Sequence, residues 1–202
     1  MNRFGTIAFA LVASLTMAAV AIQATDQDAP AVTDYTIDGG HSTVLFRVKH
    51  LGVSPFWGRF NKVSGSYTVD QGDPNGSSVE LTIPTASVDT NSEGRDGHLK
   101  NPDFFDVEKH PEMTFKSTAI EALDETTFKV TGDLTLLGVT KSVSGTVEWY
   151  GEAQTRMGYR SGFEATFEFN RSDFGMMKYV AEGALGDTIR VVAGIEGIKA
   201  AE

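Results

Sequence analysis

Arg160–Asn170 reads RSGFEATFEFN, with Phe163, Phe167 and Phe169 on one parity and Glu164, Thr166 and Glu168 on the other. Successive side chains of a strand point to opposite faces, so this pattern predicts a β-strand with one apolar and one wet face. The run after it, DTIRVVAGIEG from Asp187, places Ile189, Val191 and Ile195 on one parity. The run before it, KSVSGTVEWYG from Lys141, does the same with Val143, Val147 and Trp149.

Five earlier runs complete a set of eight. STVLFRVKH from Ser42 turns Val44, Phe46 and Val48 inward, and RFNKVSGSYTVD from Arg59 turns Val63, Tyr67 and Val69 inward, with Phe60 out of phase as if past a bulge. SSVELTIP from Ser77 contributes Val79, Leu81 and Ile83. EMTFKSTAIEALD from Glu112 contributes Met113 and Phe115, and TTFKVTGDLTLLG from Thr126 contributes Phe128, Val130, Leu134 and Leu136. Strands buried on both faces would read as continuous apolar runs, so strict alternation predicts antiparallel sheet with one solvated side. Eight such strands joined by short turns close into a barrel that is either filled by side chains or holds one small ligand, with a sandwich as the competing architecture.

Three segments interrupt the alternation. Gly94–Pro111, GRDGHLKNPDFFDVEKHP, is expected to start as a short helix capped by Ser92 and to brace one end of the barrel with Phe104 and Phe105. Ser172–Asp187, SDFGMMKYVAEGALGD, has the length of a mouth loop, and Phe174, Met176 and Met177 suit either irregular packing or adaptable apolar contact. LGVSPFWG, from Leu51 to Gly58, reads as a second loop carrying Phe56 and Trp57.

Residues 1–24 combine one early cation, Arg3, an apolar run and small residues, the pattern of a signal peptide cleaved at about 21–24. Residues 25–34 read as a flexible leader and residues 35–200 as one barrel domain. The expectation is a soluble, exported, periplasmic protein without stable membrane insertion. Cysteine is absent, which excludes a disulfide framework and a lipidated N-terminal cysteine. The net charge of −10 and the lack of a basic run argue against nucleic acid and against anionic membrane surfaces.

Chemistry has little to work with. The four histidines, His41, His50, His98 and His110, show no HExxH or similar pairing, so no metal ligands are assigned. No GxSxG and no phosphate-cradling glycine loop is present, and no catalytic residue is assigned. The apolar interior is the stronger signal. The residues expected to line a tunnel are Val44, Phe46, Val48, Tyr67, Leu81, Met113, Phe115, Phe128, Leu134, Val147, Trp149, Phe163, Phe167, Phe169 and Val191, with Trp57, Phe174, Met176 and Met177 at the mouth. Such a lining rewards a long hydrocarbon at about 0.8 kcal/mol per buried methylene, although periodicity does not separate a hollow barrel from a filled one.

Four blocks then point one way: YTIDGGHSTVLFRVKHLGVSPFWGRF, SVDTNSEGRDGHLKNPDFFDVEKHPEMTFKS, VTGDLTLLGVTKSV and FNRSDFGM. Together they resemble the YceI-like family of bacterial polyisoprenoid-binding proteins. The match rests on Asp38, His41 and Ser42 before the first strand run; His50, Gly52, Gly58 and Phe60 in the next turn; Arg95, Asp96, His98, Leu99, Phe104, Phe105 and Pro111 in the helical block; Gly132, Leu134 and Gly138 in the hairpin; and Arg171, Asp173, Phe174 and Gly175 in the late loop. The resemblance implies an extended lipocalin-like barrel of eight antiparallel strands in the periplasm. It implies an isoprenoid or similar lipid, such as a polyprenol or a quinone side chain, as ligand, no other cofactor, no catalytic set and a homodimer as one assembly. Two other readings stay open at this level: a metal-binding protein or metal-dependent hydrolase using the histidines, and a solid-cored interaction module.

Overall fold

The alternation of Arg160–Asn170 is realised as one wall of a closed barrel in a computed structural model that describes residues 32–201. The segment read as a signal peptide lies outside the described residues. Among those residues no helix is long and apolar enough to cross a membrane.

The strands, in chain order, are β1 (Val32–Ile37), β2 (Thr43–His50), β3 (Ser54–Phe60), β4 (Ser64–Asp70), β5 (Ser78–Pro84), β6 (Val88–Asp89), β7 (Glu112–Ala122), β8 (Thr127–Leu136), β9 (Val139–Thr155), β10 (Gly158–Asn170) and β11 (Thr188–Lys199), with one helix, α1 (Glu93–Leu99). Eight of them close the barrel in the order β1-β4-β5-β7-β8-β9-β10-β11, sealed by antiparallel pairing of β11 with β1, where Tyr35 faces Lys199. The other three, β2, β3 and β6, continue the sheet from β11, which pairs with β1 near its end and with β2 nearer its start. In effect β1 and β2 are one long strand broken at residues 38–42, and β3 and β4 are another broken at 61–63. Gly65, at φ 140, lies just past the second break, where a β-carbon would overlap the Glu80 carbonyl.

Two strands depart from the sequence reading. Val32–Asp34, assigned above to the leader, is the first half of β1, with Thr33, Tyr35 and Ile37 buried. The loop expected from Leu51 to Gly58 is in large part β3, which faces β2 on one side and meets only the short β6 on the other. Its Pro55 is tolerated because an edge position needs no ladder N–H. The break before β4 also accounts for the phase of Phe60, which is buried.

The far end of the barrel is filled. Tyr35 and Tyr67 stack at 4.9 Å, Phe163 meets the Tyr67 ring edge-on at 5.2 Å, and the two phenols bond Glu152 and Ser161. Burial pushes the Tyr67 phenol up to about 12 and raises that of Tyr35 further, with Glu152 adding to the latter. A phenol with a folded pKa above its unfolded value contributes stability that is intact below about pH 10 and lost as pH rises toward 12. Alkaline unfolding should therefore coincide with tyrosine ionisation in that window, and Tyr67→Phe should shift the transition upward in pH relative to the starting stability. Circular dichroism and tyrosinate absorbance recorded on the same samples check it; an unchanged transition would remove Tyr67 from the explanation.

Candidate functional site

Inward-facing side chains of the barrel strands surround a cavity of about 150 Å³. The lining is aliphatic and aromatic throughout except for Arg171. Small side chains are part of that lining: Ala165 and Ala193 pair across β10 and β11, both line the cavity, and Val44 sits opposite Ala193 on β2. The filled tyrosine end bounds it on one side. At the opposite end Leu99, Phe104 and Phe105 come from α1 and the turns after it, and Met176 and Leu185 come from the loop between β10 and β11.

That closing layer is held by local polar bonds. Asp96 on α1 accepts from the Thr90 N–H at 2.9 Å, and Arg95 donates to the Thr90 hydroxyl and carbonyl while its guanidinium lies 4.5 Å over Phe56. Ser92 occupies the N-cap position of α1, yet its side chain makes no capping bond. His98 contacts Asp103 at 3.1 Å and sets its ring against Phe104. Lys178 of the late loop reaches the same carboxylate at 3.2 Å, which ties the two closing segments together. His98 first, and then Lys178, hold the Asp103 carboxyl below its ordinary value.

Arg171 is the unusual member of the lining. It is only 2% exposed and has no carboxylate ion pair among the described residues. Instead its guanidinium donates to four backbone carbonyls of the late loop: Nε to Gly186 (2.9 Å), Nη1 to Met176 (3.2 Å), and Nη2 to Lys178 (2.8 Å) and Leu185 (3.3 Å). Burial draws its pKa down from the ordinary arginine value, opposed by the charge of Asp187. An isolated buried cation is expensive unless its donors are matched, and a planar fork of five N–H groups can match several carbonyls at once. One side chain thereby positions both Met176 and Leu185 on the cavity.

Of the fifteen residues expected in a tunnel, Val44, Phe46, Val48, Leu81, Met113, Phe115, Leu134, Val147, Phe163, Phe167, Phe169 and Val191 line the cavity. Tyr67, Phe128 and Trp149 do not; Tyr67 belongs to the filled end, and Phe128 and Trp149 pack against the core outside the cavity. Of the four expected at the mouth, Met176 alone lines it. Phe174 is buried against Phe169, and Trp57 and Met177 are exposed. The reading from parity also passed over Phe60, Ala165, Ala193, Leu185 and Arg171, and named Leu99, Phe104 and Phe105 without placing them on the cavity.

The histidines do not assemble. His98 is with Asp103, His110 lies beside Gly138, His50 ends β2, and His41 contacts Asp38 at 3.0 Å. Among the described residues the one group of three closely set histidine or carboxylate ligands is Asp38, His41 and Glu196. Its cationic position is taken by Arg160, whose Nη1 is 2.6 Å from Asp38 and 3.0 Å from Glu196 and holds the Asp38 carboxyl well below the usual carboxylate range, with His41 next in effect. Among the described residues no titratable group other than Arg171 lines the cavity.

Residues 35–197 match the family model described as the YceI-like domain. A UPF0312 protein of Ectopseudomonas mendocina is 41% identical over 169 residues, spanning 82% of this chain and 87% of its own. Among solved structures, BcnA of Burkholderia cenocepacia superposes with a TM-score of 0.72 at 24% identity, over 79% of this chain and 98% of that one. A polyisoprenoid binding domain from Saccharophagus degradans, implicated in plant cell wall breakdown, gives 0.66 at 16% identity, over 82% and 98%. At these identities the two structures speak for the fold.

Proposed function

Because this chain belongs to the YceI-like domain family, we propose that it binds and carries or sequesters a long apolar lipid in its barrel, without catalysing a reaction. The observation that carries this reading is the lining of the cavity: aliphatic and aromatic side chains, one buried arginine and, among the described residues, no nucleophile, acid or base beside them. A hydrocarbon gains about 0.8 kcal/mol per methylene in such a place, so a five-carbon isoprene unit gains about 4 kcal/mol. The absence of directional polar groups favours a regular chain over a small polar metabolite, and a polyprenol or a quinone side chain is the ligand class we favour. Similarity in fold to a domain described as polyisoprenoid binding supports that choice. The composition of residues 1–24 supports action in the periplasm, after export.

The cavity volume adds a requirement. A space of about 150 Å³ in an unrelated protein holds one benzene ring. An isoprenoid of several units therefore enters this lumen only as lining side chains turn aside. Met113 and Met176, unbranched and easily re-rotated, are placed to do so.

Organic extraction and native mass spectrometry of the purified protein should recover a neutral or weakly polar lipid in near-stoichiometric amount, with a protein mass that falls by the mass of that lipid on extraction. Repeated recovery of lipid-free protein from its natural host would end this reading.

A further inference from the structure

The hairpin between β2 and β3 and the loop between β10 and β11 form one rim. The Leu51 N–H donates to the Ala184 carbonyl at 2.8 Å, and the Gly186 N–H donates to the Lys49 carbonyl at 2.7 Å. The loop that supplies Met176 and Leu185 to the cavity is thus joined to the hairpin tip. On this rim apolar side chains face solvent: Leu51 is 59% exposed, Val53 83% and Met177 57%. Leu51 also sits at φ 49, in the left-handed region that a leucine adopts at a cost. The tripeptide Leu-Gly-Val recurs at the turn between β8 and β9, where Leu137 has nearly the same backbone, φ 52, but packs against the core. Both leucines, each followed by a glycine at positive φ, take the backbone of a tight hairpin turn, but Leu137 packs against the core while Leu51 faces solvent.

Beside the tip, the outward face of the sheet gathers cations that the sequence scatters. Arg190 on β11 lies directly across from Arg47 on β2, and Arg47 lies across from Trp57 on β3, which is 46% exposed. Like charges directly opposite each other destabilise a sheet unless something anionic sits with them. Neither arginine forms an ion pair among the described residues, nor does Lys49 on the same face. Glu168 on β10 is the carboxylate opposite Arg190, and it too forms no ion pair there. The Arg190 Nε is buried and has no hydrogen-bond partner among the described residues.

We propose that this rim docks on a lipid bilayer that carries anionic headgroups, with Leu51, Val53 and Met177 entering the acyl boundary and Arg47, Arg190 and Trp57 lying at the level of the phosphates. Four residues of extended chain separate Arg47 from Leu51, about 13 Å, which matches a tip lodged just below the headgroups. Tryptophan and arginine suit that interface, one as an amphipathic ring and the other as a phosphate fork. Physiological salt screens the net charge of −10 beyond about 8 Å, so on contact the bilayer meets chiefly the charges of the rim itself. The inference rests on the lipid-carrier reading for its purpose: a cargo insoluble in water has to pass between membrane and lumen, and the rim borders the lumen.

The test is sedimentation of the full mature chain with vesicles of phosphatidylcholine alone and of phosphatidylcholine mixed with phosphatidylglycerol. Binding is expected only to the mixed vesicles and is expected to weaken with salt. Val53→Asp should abolish it, and the Arg47→Gln, Arg190→Gln pair should weaken it by about thirtyfold, the effect of two basic residues near an anionic surface. Circular dichroism should show each variant folded, since Val53 is exposed, Arg47 and Arg190 are half-buried on the outward face of the sheet, and glutamine keeps much of the arginine stem. Absence of binding by the parent chain, or variants that bind like the parent, would overturn the proposal. So would a rim that pairs two copies, seen as a dimer that Val53→Asp splits while vesicles remain unbound. Ala165→Phe, which fills the lumen, should still bind vesicles. A chain that binds vesicles but never yields lipid on extraction would leave the docking surface standing and remove the carrier reading, and a lipid-loaded chain that ignores vesicles would do the reverse.

Discussion

Replacing Arg171 with methionine is expected to destabilise the protein by about 3–5 kcal/mol, the range for removing one partner of a buried charged network. The substitution keeps much of the side-chain volume and relieves the fold of a desolvated cation. It also leaves the carbonyls of Met176, Lys178, Leu185 and Gly186 without their donor. A buried carbonyl left unpaired costs about 1–3 kcal/mol; the bond to Met176 is buried and the other three are part-buried, and their combined loss outweighs the relief. The loop has a way to reduce the loss, which is to lift into water and hydrate those oxygens. Thermal unfolding should therefore shift down by about 10 °C, and amide hydrogen exchange should rise first and most within residues 176–187. Arg171→Lys should recover little, because a single ammonium cannot fork toward four carbonyls. A melting temperature and an exchange pattern like those of the parent would show that the loop is held by something else.

Ala165→Phe should empty the barrel of cargo while leaving it folded. Ala165 is nearly inaccessible to solvent from outside, lines the cavity, and faces Ala193, so a ring placed there has the lumen as its only space. Displacing even three methylenes of a bound chain removes about 2.4 kcal/mol, roughly a sixtyfold loss of affinity. Overpacking a filled core usually costs about 1–3 kcal/mol, and a ring that enters open space should cost less. Lipid recovered per protein by extraction should fall to about a tenth or less, with the melting temperature within a few degrees of the parent. Undiminished cargo in a folded variant would place the lipid outside the barrel.

The walls of this barrel could be read from alternation because each strand keeps one face dry, as Phe163, Phe167 and Phe169 do. β1 was hidden because VTDYTI follows a proline-containing polar leader and its inward positions include Thr33, so the dry face is only partly apolar. β3 was hidden by Pro55, which reads as a breaker until the strand is known to be an edge. The lumen was harder still. Parity selects bulky residues, and bulky residues fill space; Ala165 and Ala193, which leave it open, have no signature in a single sequence. Tyr67 and Trp149 obey the same alternation as the true lining and lie outside the cavity, because alternation reports the face of a strand and not the height along the barrel axis. Arg171 is chemically legible only after folding, since the carbonyls that solvate it lie up to fifteen residues away along an irregular loop.

The seam between β1 and β11 also fixes when this protein can become itself. Tyr35 pairs with Lys199, and Ile37 with Gly197, so the first and last strands must meet before the barrel exists. Contacts that span nearly the whole domain form late and slowly, because the chain between them must be ordered first. A nascent copy has no closing partner for β1 until β11 has been made. Late closure means that the lumen, and any binding inside it, belongs only to the finished chain, since every earlier stage of synthesis lacks one wall of the barrel.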